Sequence, residues 1–286
     1  MPTDAFHLSL PKRRLTSVVF ASPHSGRIYP RSFLEASVLD NQTIRSSEDA
    51  FVDTLLDGVP GLGAPLLAAI APRAYLDLNR GADELDPAVI DGVQAFGHNP
   101  RVVSGLGVIP RVVSGSKAIY SGKIPMDEAR RRIRDWWHPY HDRMQGLLDE
   151  SRQQFGEAIL VDVHSMPHEA MEAVTSHSGR RPQIVVGDRY GASAASHVVN
   201  FVEDAFRAQG FIVARNAPFA GAYITQAYGR PGNNQHAVQI EMDRALYMDE
   251  NKICPSADFS DFKQRLEKVL SDIVDIGRNQ ASLAAE

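Results

Sequence analysis

The sequence predicts an α/β fold, a mixed central sheet with helices on both faces. Short β-branched apolar runs alternate with longer stretches whose apolar residues recur every three or four positions. No fixed repeat and no Gly/Ser or Pro tract interrupts this alternation. With 286 residues, 43% of them hydrophobic and 23% charged, the chain can bury a large core, and a single domain over residues 1–286 is expected.

The elements follow in order. Residues 15–21 form a β-branched run stopped by Pro23 and read as a buried strand. Ser47 is placed to cap a helix carrying Phe51, Val52, Leu55 and Leu56 before Gly58 and Pro60 end it. Residues 65–71 and 75–79 read as strands. Residues 127–155 carry the longest helical pattern, with Ile133, Trp137, Tyr140, Met144 and Leu148 on one stripe. Pro139 interrupts it at a cost of ~3 kcal/mol for a helix interior, so a kink or a junction of two helices is expected at Trp137 to His138. Strands at 158–163 and 183–186, a helix at 192–209, a strand at 211–214, an alternating strand at 236–242 and an amphipathic helix at 259–276 complete the pattern.

Charge and cysteine usage exclude several functions. Thirty Lys and Arg against thirty-five Asp and Glu give a net charge of −5, and no basic run could track a phosphate backbone, so no nucleic-acid partner is expected. The longest apolar stretch, at 65–72, is about half the ~20 residues that a membrane helix needs, so no membrane partner is expected. Residues 1–20 lack the apolar core of a secretion signal. Cys254 is the lone cysteine, which excludes an intramolecular disulfide and any CxxC metal site and fits a reducing cytoplasm.

Ligands of open α/β sheets gather beyond the carboxyl ends of strands. There the chain offers SPHSG with His24, VDVHSMP with His164, and QIEMD, whose Glu241 is costly to bury without a partner. Two histidines and a carboxylate are the donor set of a catalytic zinc with one position open for water. Glu48 and Asp49, at the start of the predicted helix, are the candidates for the third ligand. The segment RAYLDLNR places Arg73, Asp77, Asn79 and Arg80 together, either as a clamp for an acidic substrate or as an ion pair that fixes a loop. The basic cluster from Arg130 reads as a solvated helix face. His138 and His141, beside Trp137 and Tyr140, read as packing or surface groups, and Pro167 argues against a helix presenting His164 and His168 together. Without a GxSxG elbow, a serine hydrolase is the weaker enzyme class.

SPHSG, the acidic pair followed by FVD, YLDLNR, DVHSMP and the stretch GAYITQAYGRPGNNQHAVQIEMDRALYMDE together resemble the N-formylglutamate amidohydrolase family, in its order and over most of the chain. The resemblance implies a phosphorylase/hydrolase-like fold, similar to the zinc carboxypeptidases, and a zinc-dependent hydrolase of a small acidic N-acyl amino acid. It implies His24 and His164 as metal ligands and Glu241 as the catalytic carboxylate. Where the carboxypeptidases carry HxxE, Arg27 stands three residues after His24, so the acidic ligand comes from elsewhere, with Asp49 preferred over Glu48. Arg73 is then expected beside the oxyanion, and Asn79, Arg80 and Arg230 at the substrate's carboxylates. The rival readings are the same chemistry on another N-acyl amino acid or a short peptide, and a non-catalytic binder of acidic metabolites. A homo-oligomer stays open at this level.

Overall fold

The computed structural model describes residues 5–94, 99–172 and 181–283. The chain forms two compact units, one from Met1–His7, Pro23–Ala50 and Ala68–Arg143, the other from Leu8–Ser22, Phe51–Leu67 and Met144–Glu286. Because the chain passes repeatedly from one to the other, no linker marks the division in the sequence.

The second unit is built on a seven-stranded sheet of β1 (Phe6–Ser9), β2 (Val18–Ser22), β3 (Leu66–Ala69), β4 (Ala158–Met166), β5 (Ile184–Gly187), β6 (Val213–Arg215) and β7 (Gln235–Asp243), in the order β1-β3-β2-β4-β7-β5-β6. The unit boundaries fall inside β1 and β3. β2 and β7 run parallel to β4, and β5 runs antiparallel to β7, so the sheet is mixed as expected. β4 is buried along its whole length, which explains its near-continuous apolar run, AILVDV. Among the long helices of this unit are α1 (Ser196–Ala208) and α2 (Phe259–Leu283), packed on each other, with α2 also against β2. Phe262, Leu266, Val269 and Ile273 form the buried stripe of α2. β1 was not expected: its residues are only partly buried and show no apolar run.

The first unit has short helices, including Arg31–Ala36, Pro100–Val103 and Met126–Arg132, and a small hairpin of Val112–Val113 with Lys117–Ala118. Two expectations are corrected here. Residues 75–79 are not a strand, because Pro72 opens a turn in which the Tyr75 N–H donates to the Pro72 carbonyl, and the Asn79 N–H turns back onto the Asp77 carboxylate. Arg132 is not on a solvated face: it is buried, 4.0 Å above the Tyr75 ring, and donates to the Tyr75 carbonyl, the Tyr120 hydroxyl and Glu128.

The helical stretch behaves as Pro139 requires. An α-helical turn ends at Arg132, a widened π turn spans Ile133–Trp137, and a new α-helix, His138–Phe155, begins with Pro139 at its second position, where a missing N–H costs nothing. Ser47 caps no helix. The helix Val52–Leu55 starts at Phe51, whose φ of 68° is left-handed, so Glu48 and Asp49 sit in a buried turn and not in a first helical turn.

Candidate active site

In the first unit the SPHSG turn is pressed onto the backbone at Ala71: a Cβ on Gly26 would lie 2.0 Å from the Ala71 carbonyl oxygen, so only glycine fits. This sets His24 in a buried position. Its Nε2 donates to Asp77 Oδ1 at 2.7 Å, and Asp77 Oδ2 accepts from Arg73 Nε at 3.0 Å. Burial works against the charge on Asp77, yet His24, Arg73 and Arg80 hold its carboxyl well below the ordinary range. With the ring proton on Nε2, Nδ1 of His24 presents a lone pair, and Asp49 Oδ2 lies 3.4 Å from it. The separation matches the edge of a tetrahedron with metal–ligand bonds of ~2.0–2.2 Å, about 3.3–3.6 Å, so the pair suits a metal.

Glu48 is engaged otherwise. Arg45 grips both its oxygens at 3.0 Å, and the Tyr29 hydroxyl donates to Oε1 at 2.6 Å. Asn79 and Arg80 are buried beside Asp77, with Arg80 donating Nε to the Leu106 carbonyl and Nη1 to that of Asn79.

In the second unit, β4 and β7 pair so that His164 lies beside Glu241 and Asp162 beside Gln239. Residues two apart on a strand share a face, so these four side chains project together near the carboxyl ends. His164 Nε2 donates to Asp162 Oδ2 at 3.0 Å, again leaving Nδ1 as the ligand nitrogen, and Gln239 Nε2 donates to Glu241 Oε1 at 2.8 Å. Farther along the same face, the buried Asp243 accepts from His168 Nδ1 at 2.7 Å, while Arg181 donates to His168 Nε2 at 2.6 Å. Arg244, also buried, donates Nε to the Ser165 hydroxyl at 3.1 Å.

A family model of N-formylglutamate amidohydrolase matches residues 16–248. The chain belongs to this family. It is 28% identical to the N-formylglutamate deformylase of Pseudomonas aeruginosa over 92% of this chain and 93% of that one, and 28% identical to that of Pseudomonas putida over 93% and 94%. The crystal structure of N-formylglutamate amidohydrolase from Ralstonia eutropha JMP134 superposes with a TM-score of 0.89 at 34% identity, covering 96% of this chain and 98% of that one. As a member of the family the chain is a hydrolytic enzyme acting on an amide.

Of the family-implied residues, His24, Asp49, Arg73, Asn79 and Arg80 cluster around Asp77 in the first unit, and His164 and Glu241 share a rung in the second. Arg73 gives its Nε to Asp77 Oδ2 at 3.0 Å. Arg230 is set apart. It is exposed and pairs with Gln235 at the start of β7, six residues or about 20 Å of strand before Glu241. The sequence reading missed the His168–Asp243 pair, whose partners are joined across strand ends, and the buried Arg244. It also missed Asp162 as the partner of His164, although the spacing DVH on a strand placed both on one face.

Proposed function

We propose that this chain hydrolyses N-formyl-L-glutamate to formate and glutamate with zinc, whose ligands are those that membership of the family implies, His24, Asp49 and His164. One observation carries the metal assignment: both histidines donate Nε2 to a buried aspartate, Asp77 or Asp162, which orients each ring with Nδ1 as its ligand nitrogen. Asp49 is preferred to Glu48 because Arg45 already occupies both Glu48 oxygens. Zinc, when bound, supplies hydroxide near neutral pH by lowering the pKa of water to ~7 and polarises the formyl carbonyl.

Glu241, held by Gln239, takes the proton of the attacking water and passes it to the departing nitrogen. Arg73 acts through Asp77 as a positioning residue. The substrate carries two carboxylates, and two buried arginines suit them: Arg80 with Asn79, and Arg244, which replaces Arg230. Among the described residues no helix is long and apolar enough to cross a membrane. The lone Cys254 suits a reducing compartment, and we place the enzyme in the cytoplasm.

The test pairs a formate-release assay over a panel of N-acyl amino acids with the Glu241→Gln variant. N-formylglutamate should have the highest kcat/KM in the panel. Glu241→Gln should keep zinc and melting temperature while kcat falls at least ~100-fold, the low end of what a positioned acid/base contributes. A destabilised variant that turns over normally would make Glu241 a structural residue, and preference for another acyl group would reassign the substrate.

A further inference from the structure

A second group of metal-ligating side chains lies in the second unit, away from the residues assigned to catalysis. Glu157 directly precedes β4, His236 is the second residue of β7, and His197 stands in the first turn of α1. Each offers one donor atom, and these atoms lie within 4.8 Å of one another. Glu157 and His236 are buried, at 3% and 2% exposure, while His197 is exposed. His236 pairs with Ile159, two residues after Glu157, so both side chains lie on one face of the sheet. His164 and Glu241 lie five residues farther along each strand. Five is odd, so they project from the opposite face, about 16 Å farther along.

The distances separate this group from an ordinary histidine–carboxylate pair. Where such a pair serves orientation in this protein it is close: 2.7 Å for His24–Asp77, 3.0 Å for His164–Asp162 and 2.7 Å for His168–Asp243. The wide pair at the proposed catalytic metal is His24 Nδ1 to Asp49 at 3.4 Å, and His236 Nε2 to Glu157 Oε1 is wide in the same way, at 3.3 Å. Both match the ~3.3–3.6 Å edge of a tetrahedral site more closely than the ~2.7–2.9 Å of a charge-assisted hydrogen bond.

We propose that Glu157, His197 and His236 form a second binding site for a zinc-type divalent cation. Two imidazoles and a carboxylate are a donor set for such an ion, and the exposure of His197 leaves the remaining position to water. Without the ion, the Ala195 N–H donates to His236 Nδ1 at 3.3 Å, which keeps the ring proton on Nε2. Binding at Nε2 moves this proton to Nδ1, where it opposes the Ala195 N–H, so the ring must turn from that N–H as the ion binds; the contact given up is already long for a hydrogen bond. Ser17 Oγ donates to Glu157 Oε2 at 3.4 Å, and Oε1 is the oxygen that lies 3.3 Å from His236 Nε2. The ion would tie α1 to the amino ends of the two central strands, a structural task separate from turnover.

The experiment is metal content and Co2+ absorption of the full chain after chelation and reloading with Zn2+ or Co2+. Wild type should hold about two ions per chain and His197→Ala about one, with the visible Co2+ band reduced and formate release unchanged. His197 is exposed, so its truncation does not threaten folding. A His24→Ala, His164→Ala double variant should keep the ion that His197→Ala loses, which separates this site from the catalytic one. A wild type that holds one ion and keeps it in His197→Ala, or holds two in both, overturns the proposal. One ion lost only with His197 would uphold it while removing the catalytic zinc.

Discussion

Asp77→Asn tests the chain of contacts that sets the ligand nitrogen of His24. Asp77 Oδ1 accepts from His24 Nε2 at 2.7 Å and from the Asn79 N–H at 2.8 Å, while Oδ2 accepts from Arg73 Nε at 3.0 Å. Asparagine can keep the first two bonds through its carbonyl, but they lose the charge that makes such bonds roughly twice as strong. Its amide then points N–H groups at the Arg73 N–H. Loss of a partner that orients a metal-bound histidine typically costs 10–100-fold in affinity, or ~1.4–2.7 kcal/mol, and zinc affinity should fall by that amount in competition with a chromophoric chelator. Arg73→Met is the control, because it breaks the same ion pair and leaves the Asp77–His24 bond in place. It should lower the melting temperature comparably and weaken zinc several-fold less. A folded Asp77→Asn enzyme with wild-type zinc affinity, or two variants equal in zinc affinity, would refute the orienting role.

Asp49→Ala should abolish high-affinity zinc binding, whereas Glu48→Ala should leave it nearly intact and lower stability by releasing Arg45 and Tyr29; equilibrium dialysis with thermal melts reads both. His141 is buried against Trp137, with Nε2 2.9 Å from the Leu78 carbonyl oxygen, and burial pushes its pKa down to about 3. Since the unfolded chain takes up that proton below about pH 6.5 and the folded chain does not, stability falls as pH drops from about 6.5 towards 3, by ~1.4 kcal/mol per unit. Urea denaturation should show a flatter pH dependence in His141→Gln. Arg132→Met should cost ~3 kcal/mol in urea, through lost bonds to the Tyr75 carbonyl, Tyr120 and Glu128, without changing zinc content.

Burial on both faces is why the central strands were legible. β4 is apolar nearly throughout from Ala158 to Val163, so His164 within it stands out as a group with a task, while β7 alternates apolar and polar residues and so marks Glu241 on its polar face. The helix junction at Trp137 was legible for a similar reason, since proline has one physical consequence inside a helix. What failed were elements set by long-range contacts. β1 is an edge strand with mixed exposure, the apolar residues of 75–79 are buried by a turn, and Arg132 is buried because three aromatic residues, Phe33, Tyr75 and Tyr120, surround it. No local pattern near Arg132 encodes those rings.

The same distinction divides the site residues. His24 and His164 were readable because each lies near the carboxyl end of a strand, but the carboxylates that fix their tautomers lie at very different separations. Asp162 is two residues from His164, and strand periodicity could have found it; Asp77 is fifty-three residues from His24, and only the folded turn brings it there. The preference for Asp49 over Glu48 rests on Arg45, which holds both Glu48 oxygens, a pairing that only the folded turn brings about. Arg230 shows the converse. In the sequence it stands in one unbroken motif with Glu241, yet an extended strand advances ~3.3 Å per residue, so adjacency along the chain becomes distance in space. Within that motif, the residues at the strand's carboxyl end, Asp243 and Arg244, are the ones that reach His168 and Ser165. A contiguous motif that runs through a long strand therefore serves two ends of a sheet, and its residues are assigned by rung and face rather than by membership in the motif.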